Sequence, residues 1–598
     1  MELKQRSQVP IEHQWDLTSM FESDTSWNEA FDKLSASYTA ILGFEGRLNE
    51  GGETLLACYK LSEEIELALI KLYIYANLKH HEDMTNTEYK GLFDKVSSLY
   101  TKIMTATSFI EPELTIIGDR LLTEYLPQVE GLAIYRQHLQ NILRKKEHVL
   151  TPDKESLMAQ FSEIGEGISN IYDLLTDADM TFENAKDSKG EEHLVTMGRF
   201  GAIMENKDRE LRKNAFKSVY KSFVGHKNSI AEAYSSSVKY DNFIARVRNH
   251  PSAMDMALFS GNIPTDIYHN LVSTVNKNLH LYHRYMRIRK KCLKLDDFRV
   301  YDKYVPIVEN ANTKISWDES KELVLKGLAP LGEEYVSILH KAFDERWIDI
   351  YENKGKYTGA YSHGGYGTKP YILMNFDDTV RDMFTLAHEL GHSVHSYYSR
   401  KHQPPVYSNY TIFLAEIAST VNEALVHHYM LNNTKDKTEY NYLLNYLLSN
   451  FDSTFFRQCM FAEFEMTAHK MADEGQPLNS HSLNEVYHDL LSRYFGPDVI
   501  LDDEVSFEWS RIPHFYSAYY VYQYSTGFAA AMAFSKDILD GKTDRYIDLL
   551  KSGSSDYSIE LLKKAGLDMT SPKPIESALS VFESLLDKFE ENNFNESR

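Results

Sequence analysis

The stretch DTVRDMFTLAHELGHSVHSYYSR, residues 378–400, says most about the fold of this chain. Its apolar residues recur at intervals of three and four, which predicts an amphipathic helix. Residues four apart lie on the same face of a helix, so His388 and His392 can offer imidazole nitrogens to one metal ion. Glu389 is rotated by about 100° from His388, where a carboxylate can take a proton from a nucleophilic water. The pentapeptide HELGH therefore predicts a zinc site with a general base.

A third metal ligand should come from another element, because two histidines hold zinc poorly. The pattern HExxHxxGxxH is excluded, since His395 and Tyr398 stand where Gly and His are needed. Glu416, in FLAEIASTVNEAL, follows His392 by 24 residues, which is enough for a turn and an antiparallel return. We expect Glu416 to be the ligand and Glu423, two turns further along the same face, to support the site. His395 is one turn beyond His392 and is not counted among the ligands.

A second cluster of polar aromatic residues lies downstream, in RIPHFYSAYYVYQYSTGFAAA (511–531). It places His514 and five tyrosines within 11 positions. The reaction of a metal-dependent hydrolase passes through a tetrahedral oxyanion, which neutral OH or NH donors stabilise. The cluster is suited to this role, although an aromatic stripe in a helical core is the alternative for most of the tyrosines.

The composition bounds the class of protein. The chain has 598 residues, of which 43% are hydrophobic and 25% charged, so it can build more than one hydrophobic core. The formal net charge of -23 repels phosphate backbones and anionic membrane surfaces, so neither nucleic acid nor a membrane is an expected partner.

The three cysteines are odd in number and form no CxxC, which argues against a disulfide framework and against a thiolate metal site. The first residues lack the apolar run of a secretory signal, and no window of about 20 apolar residues exists. We therefore expect a cytoplasmic protein.

Helical periodicity dominates the chain and predicts a mainly α fold. The segment 180–197 breaks the pattern with a polar turn between two short runs that suit strands, so we expect an N-terminal helical domain over 1–190 and a catalytic domain over 191–598. Residues 347–376 are rich in Gly, Tyr and β-branched side chains, which predicts a small sheet. The next helix should have Asp377 or Asp378 as its N-cap.

Four segments together, HELGHSVHSYYS, FLAEIASTVNE, GAYSHGGYGTKPYILMNF and PHFYSAYYVYQYSTGFAAA, resemble the oligoendopeptidase F group of the thimet-oligopeptidase family of zinc metallopeptidases. The resemblance is close over 347–531 and looser elsewhere. It implies a large multi-helix zincin-like (gluzincin) fold with a small β-sheet beside the active-site helix, and two helical halves around a substrate channel. It also implies one Zn²⁺ ion per chain, held by His388, His392 and Glu416, with Glu389 as the general base.

The same resemblance extends to residues that would contact the substrate. The family's transition-state histidine most resembles His514, and its tyrosines fall within 516–522, with Tyr522 and Tyr516 preferred. The interval after His514 is shorter than in mammalian relatives, so the choice of tyrosine stays open. The loop 361–368 resembles a segment that touches substrate backbone, and the strand PYILMNF is expected to add a peptide at its edge. The resulting substrate-binding set is His363, Gly364, Gly365, Tyr366 and Tyr519.

Together, the HELGH motif and the resemblance imply zinc-dependent hydrolysis of internal bonds in short peptides. One alternative is a carboxypeptidase or dipeptidase on a related helical zincin scaffold, which removes end residues. Another is a helical peptide-binding or chaperone-like protein that keeps a structural metal site. Glu389 argues against the second alternative, because a closed structural site has no use for a base. The sequence does not reveal the cleavage preference or the oligomeric state.

Overall fold

The computed structural model describes residues 3–308 and 314–594, and contacts divide the chain into two compact units. The first unit comprises Met1–Glu147, Thr313–Met430 and Phe534–Gly566. The second comprises His148–Asn312, Leu431–Ala533 and Leu567–Arg598. Each unit thus combines three chain segments, and the domain boundary expected at residue 190 stays a prediction.

The helices up to residue 293 alternate with short 3-10 and π turns. They are α1 (Asp24–Ser37), α2 (Gly52–Glu82), α3 (Thr87–Thr107), α4 (Ile110–Ile117), α5 (Leu126–Gln128), α6 (Arg136–Arg144), α7 (Pro152–Asp173), α8 (Met197–Met204), α9 (Arg209–Gly225), α10 (Lys227–Val247), α11 (Ala253–Phe259), α12 (Thr265–Lys277) and α13 (Leu279–Leu293).

The later helices begin after residue 316. They are α14 (Trp317–Gly327), α15 (Glu333–Asp344), α16 (Val380–His402), α17 (Ile412–Asn433), α18 (Lys437–Asn450), α19 (Arg457–Asp473), α20 (Ser480–Phe495), α21 (Tyr522–Leu539), α22 (Asp544–Lys551), α23 (Ser558–Lys564) and α24 (Lys573–Phe594). The strands are β1 (Ala185–Lys186), β2 (Glu192–His193), β3 (Ile348–Asp349), β4 (Tyr361–His363) and β5 (Tyr371–Leu373). The predicted mainly α fold with small sheets is confirmed.

The first unit is built on the long helix α2, which buries an apolar face together with α1 and α3. Trp27 is fully buried against α2, and its indole N–H donates to the Leu72 carbonyl at 2.9 Å. Tyr371 and Leu373 of β5 belong to the same core. Because α16 contacts β4 and β5 on the other side, the sheet lies between α2 and α16. This packing positions α16.

The three-stranded sheet has the order β3-β5-β4. The pairing of β5 with β3 is parallel, with Ile348 opposite Ile372, and its pairing with β4 is antiparallel, with His363 opposite Tyr371. The expectation that PYILMNF adds a peptide at its edge is therefore wrong. Both sides of β5 are already hydrogen-bonded within the sheet, so an added strand would have to pair with β3 or β4.

The second unit contains the antiparallel pair β1–β2, in the segment where two short strands were expected. Its helix α10 packs against α7, α19 and α20, and the 3-10 turns of Asp503–Arg511 and Pro513–Tyr516 contact α10 as well. Within the described residues of both units, no helix combines the length and the apolarity that crossing a bilayer requires.

Candidate metal and active site

The N-cap of α16 lies one residue after Asp378 and two after Asp377, which were the expected caps. Thr379 is the N-cap, and its hydroxyl accepts the Asp382 N–H at 3.1 Å, while the Asp382 carboxylate accepts the Thr379 N–H at 3.3 Å. The prediction of Asp377 or Asp378 is therefore wrong. The reciprocal pair is a capping box, which satisfies two backbone donors at once and starts the helix at a defined residue.

Helices α16 and α17 approach closely at Gly391. A Cβ atom added there would lie 2.6 Å from the Ala418 carbonyl oxygen and 2.6 Å from Ser419 Cα. Glycine costs about 1 kcal/mol relative to alanine inside a helix, so its presence is explained by this contact. The Asn422 side chain donates to the Ala387 carbonyl at 3.0 Å and adds a polar link between the two helices.

Three expected ligand atoms meet between these helices. His388 Nε2 and His392 Nε2 are 3.2 Å apart. Glu416 Oε2 lies 3.5 Å from the first nitrogen and 3.7 Å from the second. Within the described chain, these residues form one of two groups of His, Cys, Asp or Glu that could hold a metal ion; the other is Asp187, Glu191 and His193.

The spacing of the three atoms fits zinc. Ligands at about 2.0–2.1 Å in a tetrahedron are separated by about 3.3 Å, close to the three distances observed. The pKa of His392 is lowered to about 4, first by burial and then by the charge of His388, so this imidazole is neutral near pH 7. A neutral imidazole can donate its lone pair to a metal.

Glu423 contacts the other nitrogen of His388. The His388 Nδ1–H donates to Glu423 Oε1 at 2.6 Å. Burial disfavours charge on His388, but the hydrogen bond and the charge of Glu423 outweigh it and raise the pKa of His388 to about 9, so a metal ion that binds at Nε2 has to displace a proton. With the Nδ1–H on the carboxylate, Nε2 is the nitrogen that faces His392 and Glu416. This is the arrangement in which an outer carboxylate orients a metal-ligating histidine.

Glu389 lies beside these atoms with an unpaired oxygen. The residue is 6% exposed, and its Oε2 is buried without a hydrogen-bond partner in the described chain. Burial raises the pKa of Glu389 to about 7, while the charge of His388 and a backbone hydrogen bond with Ser362 lower it. The Ser362 hydroxyl lies 2.8 Å from the Ser393 hydroxyl, which ties β4 to α16. A carboxylate with a pKa near 7 can both accept and release a proton at neutral pH.

His395 is not part of this group of ligand atoms. It is 1% exposed and stacks on the Tyr410 ring, with a centroid distance of 3.6 Å. Burial lowers its pKa to about 3. The Tyr410 hydroxyl lies 2.8 Å from the Ser396 hydroxyl and donates to the His392 carbonyl at 3.3 Å. His395 is thus a buried residue of α16 that packs against Tyr410.

The expected substrate-binding loop lies in the first unit, at the end of β4. Gly364 and Gly365 are required by packing, since an added Cβ would lie 2.7 Å from the Lys369 carbonyl oxygen in one case and 2.6 Å from Ile70 Cγ1 in the other. His363 and Tyr366 are half-buried. Burial, followed by the charge of Arg400, lowers the pKa of His363 to about 4. The contact of these residues with a peptide stays a prediction.

Arg400 is a residue of this loop region that the sequence does not reveal. It lies in the last turn of α16, where a basic residue suits the helix dipole and needs no further explanation. Its Nη2 donates to the Gly364 carbonyl at 2.8 Å, so it holds the backbone of the loop after β4 against α16. Only the three-dimensional contact distinguishes it from its neighbour Lys401.

His514 belongs to the second unit and is exposed. Its ring neighbours are Tyr520 and Tyr524, at centroid distances of 6.4 and 6.2 Å. Both tyrosines are half-buried and belong to the aromatic cluster of 511–531.

The chosen tyrosines lie deeper in the second unit. Tyr516 stacks on Tyr172 with a centroid distance of 4.5 Å, and its hydroxyl is buried without a partner in the described chain. Tyr522 is 1% exposed and packs near Tyr268. Tyr519 has a left-handed φ of 56° and donates its backbone N–H to buried Glu465 at 2.7 Å. The predicted roles of these three residues therefore stay predictions.

Comparison with known proteins places the chain in a family. The profile described as peptidase family M3 matches residues 202–581, and the profile described as oligopeptidase F matches residues 113–182. The curated protein oligopeptidase PepF of Bacillus subtilis (strain 168) is 48% identical over 593 residues, which is 99% of this chain and 88% of that protein.

Solved structures agree with the sequence comparison. A structure from Chlamydophila abortus matches with a TM-score of 0.94 and 36% identity over 99% of this chain and 100% of its own. Oligoendopeptidase-F from Enterococcus faecium matches with a TM-score of 0.73 and 37% identity over 96% of this chain and 100% of its own. The resemblance drawn from four short segments is confirmed, and the chain belongs to peptidase family M3.

Proposed function

We propose that this protein is a zinc-dependent oligoendopeptidase, which hydrolyses internal bonds of short peptides. The observation that carries the proposal is the cluster of His388, His392 and Glu416, with the unpaired buried oxygen of Glu389 beside it. The names of its relatives, oligopeptidase and oligoendopeptidase, support peptides as the substrate class.

The chemistry follows from the positions of these side chains. Zinc held by the two histidines and Glu416 would supply a Lewis acid that lowers the pKa of water and polarises a carbonyl. Glu389 accepts a proton from the attacking water and passes it to the leaving amine. Glu423 holds the orientation of His388 through its 2.6 Å hydrogen bond. His514 is proposed to donate a hydrogen bond to the oxyanion.

A cytoplasmic location is part of the proposal. Cys58, Cys292 and Cys459 are all free thiols in the structure, as expected for a reducing compartment.

The base is tested with the variant Glu389→Gln, which keeps the size of the side chain but cannot take up a proton. We expect zinc to remain at one ion per chain and kcat to fall by about 10²–10⁴-fold on a quenched fluorescent peptide. Metal analysis of the same protein sample is the internal control. Full activity with zinc bound would rule out Glu389 as the base.

Endopeptidase and exopeptidase activity are separated by blocked substrates. An internal peptide bond does not require a free end, so a peptide that is both N-acetylated and C-amidated should still be cleaved. Products are identified by mass spectrometry over a series of graded lengths. Cleavage only of peptides with a free C-terminus, one or two residues from that end, would instead support a carboxypeptidase or dipeptidase.

A further inference from the structure

The guanidinium of Arg400 has unused hydrogen-bond donors. Its Nη2 donates to the Gly364 carbonyl at 2.8 Å, whereas Nε and Nη1 are buried without an acceptor in the part of the chain that the structure describes. A guanidinium carries five N–H donors, one on Nε and two on each terminal nitrogen. At least three donors of Arg400 are therefore unpaired within the described residues.

Arg400 also lacks a counter-ion. Burial lowers its pKa, and the Tyr410 phenol is the one group that acts in the opposite direction; no Asp or Glu in residues 3–308 and 314–594 does so. Three other enclosed arginines are paired with carboxylates: Arg6 with Asp349, Arg212 with Asp302 and Arg457 with Glu508. Buried Arg289 instead donates to the Tyr285 hydroxyl and to the Val305 carbonyl. An enclosed and unpaired charge costs stability, and such groups occur preferentially where a ligand or a reaction uses them.

The position of Arg400 relates it to the candidate active site. It follows His392 by eight residues on α16, which is about 12 Å along the helix axis, and long helical side chains lean back toward the N-terminus. The loop after β4 lies on it, since a Cβ added to Gly364 would approach Nη1 to 2.8 Å. An extended peptide that runs parallel to α16 would cover about 3.3 Å per residue, so about three or four residues would span this distance.

We propose that Arg400 binds a carboxylate of the peptide substrate, three or four residues from the scissile bond. The proposal rests on the proposed peptidase function and adds a substrate class to it: peptides with a negative charge at that distance. The carboxylate comes either from the C-terminus of the peptide or from an Asp or Glu side chain. Both present two coplanar oxygens, which match the planar donor fork of arginine.

The overall charge makes such a contact useful. The chain carries a formal net charge of -23, which repels anionic peptides at long range. An enclosed cation without an internal partner offsets this repulsion at one position of the substrate, whereas surface lysines paired with neighbouring acids do not. Lys401, for example, lies 3.3 Å from Glu334 and is about half exposed.

The experiment compares three versions of one peptide: a neutral version with an amidated C-terminus, a version with a free C-terminal carboxylate, and an amidated version with Glu replacing Gln three or four residues from the cleaved bond. The readout is the ratio of kcat/KM for each charged version to that of the neutral version. It is measured for the wild type, for Arg400→Gln and for the matched control Lys401→Gln, which removes one positive charge at the adjacent position.

The wild type and Lys401→Gln should both prefer at least one charged version. In Arg400→Gln, the ratio of kcat/KM for that version to kcat/KM for the neutral version should fall about tenfold or more, as expected for loss of a charge-assisted pair. Preference for the free C-terminus identifies the terminal carboxylate as the ligand, and preference for the Glu version identifies a side chain. Equal loss on neutral and charged peptides would show a purely structural role and overturn the proposal, as would a wild type without any preference.

Binding measurements keep this test independent of catalysis and of folding. The same peptides, carrying a fluorophore, are titrated into Glu389→Gln with and without Arg400→Gln, and anisotropy gives Kd. If the peptides are not cleaved by the wild type but charged versions bind more tightly through Arg400, the peptidase function fails and the carboxylate site stands. If thermal unfolding shows that Arg400→Gln is misfolded, Arg400→Lys is used instead. It should retain part of the preference for charged over neutral peptides. Identical Kd ratios in Arg400→Lys and in the wild type would show that the donor fork of arginine is not needed.

Discussion

The two glutamates of α17 make different contacts, and the difference can be tested. Glu416 Oε2 approaches both His388 Nε2 and His392 Nε2, whereas Glu423 touches only His388 Nδ1. We expect Glu416→Gln to lose most bound zinc, because a direct ligand is removed. Glu423→Gln should weaken zinc binding by a smaller factor, about 10–100-fold, because it changes only the orientation of a ligand. Competition with a chromogenic chelator measures both affinities.

The exposed Glu334 is a suitable control for the loss of one negative charge in the first unit, since it contacts Lys401 rather than the cluster. Glu334→Gln should bind zinc as the wild type does. If Glu423→Gln loses more zinc than Glu416→Gln, the assignment of the third ligand is reversed.

The role of His514 gives a second prediction at this scale. His514→Ala should lower kcat by about 10²–10³-fold with little change in KM, because a donor to the oxyanion acts mainly in the transition state. Zinc content should be unchanged. Since His488 is also an exposed histidine of the second unit, His488→Ala is the matched control. A rise in KM with unchanged kcat would assign His514 to substrate binding instead.

Residue identity could be predicted where chemistry restricts the choice. His388 and His392 follow from helical spacing, and Glu416 from the need for a third ligand on a returning helix. Tyrosines are harder to tell apart, and the roles predicted for Tyr516 and Tyr522 stay predictions. Five tyrosines within 11 positions all carry the same hydroxyl, and only packing shows that Tyr520 and Tyr524 lie beside His514. Nothing in the sequence shows that Arg400 has no acidic partner among the described residues, because a missing contact leaves no pattern.

At the scale of elements, the contact of α16 with α17 sets the geometry of the proposed metal ligands. Gly391→Ala would place a methyl group 2.6 Å from backbone atoms of Ala418 and Ser419, so the helices must separate. We expect a loss of about 1–3 kcal/mol in the free energy of unfolding, which is typical of overpacking. Zinc affinity should also fall, because Glu416 is carried on the displaced helix. Urea unfolding and metal titration measure the two effects.

A matched glycine substitution separates packing from helix propensity. Gly201 lies inside α8, and a Cβ added there meets nothing within 4 Å. Gly201→Ala should leave zinc binding unchanged and stabilise the protein by up to about 1 kcal/mol, since alanine is the better helix former. Similar effects of both substitutions would mean that the contact at Gly391 does not limit the site.

The positions of helices and strands along the sequence were easier to predict than which of them pack or pair together. The period of three and four identifies α16 and α17, and the Gly- and Tyr-rich stretch identifies the sheet. Strand order depends on contacts between Ile348 and Ile372, which are 24 positions apart, and the sequence does not encode this in any local pattern. For the same reason, β5 was expected at an edge and lies in the centre.

At the scale of the whole molecule, the proposed metal residues all belong to the first unit, in which three chain segments meet. The ligands come from the middle segment, while Phe534–Gly566 contributes α22, which packs against α16. The fold of this unit and the metal site are therefore expected to stabilise each other. This linkage makes metal removal a test of the site that does not depend on catalysis.

Removing zinc should lower the melting temperature of the wild type. A ligand that binds only the folded state stabilises it by RT ln(1 + [L]/Kd), about 4 kcal/mol at a thousandfold excess over Kd. In a protein of this size, that free energy corresponds to a shift of several degrees. Calorimetry before and after treatment with a chelator measures the shift, and added zinc should restore both melting temperature and peptide cleavage.

Glu389→Gln should show the same shift as the wild type because it keeps all three ligands, whereas Glu416→Gln should show a much smaller one. Equal shifts in the wild type and in Glu416→Gln would place the stabilising metal at another site.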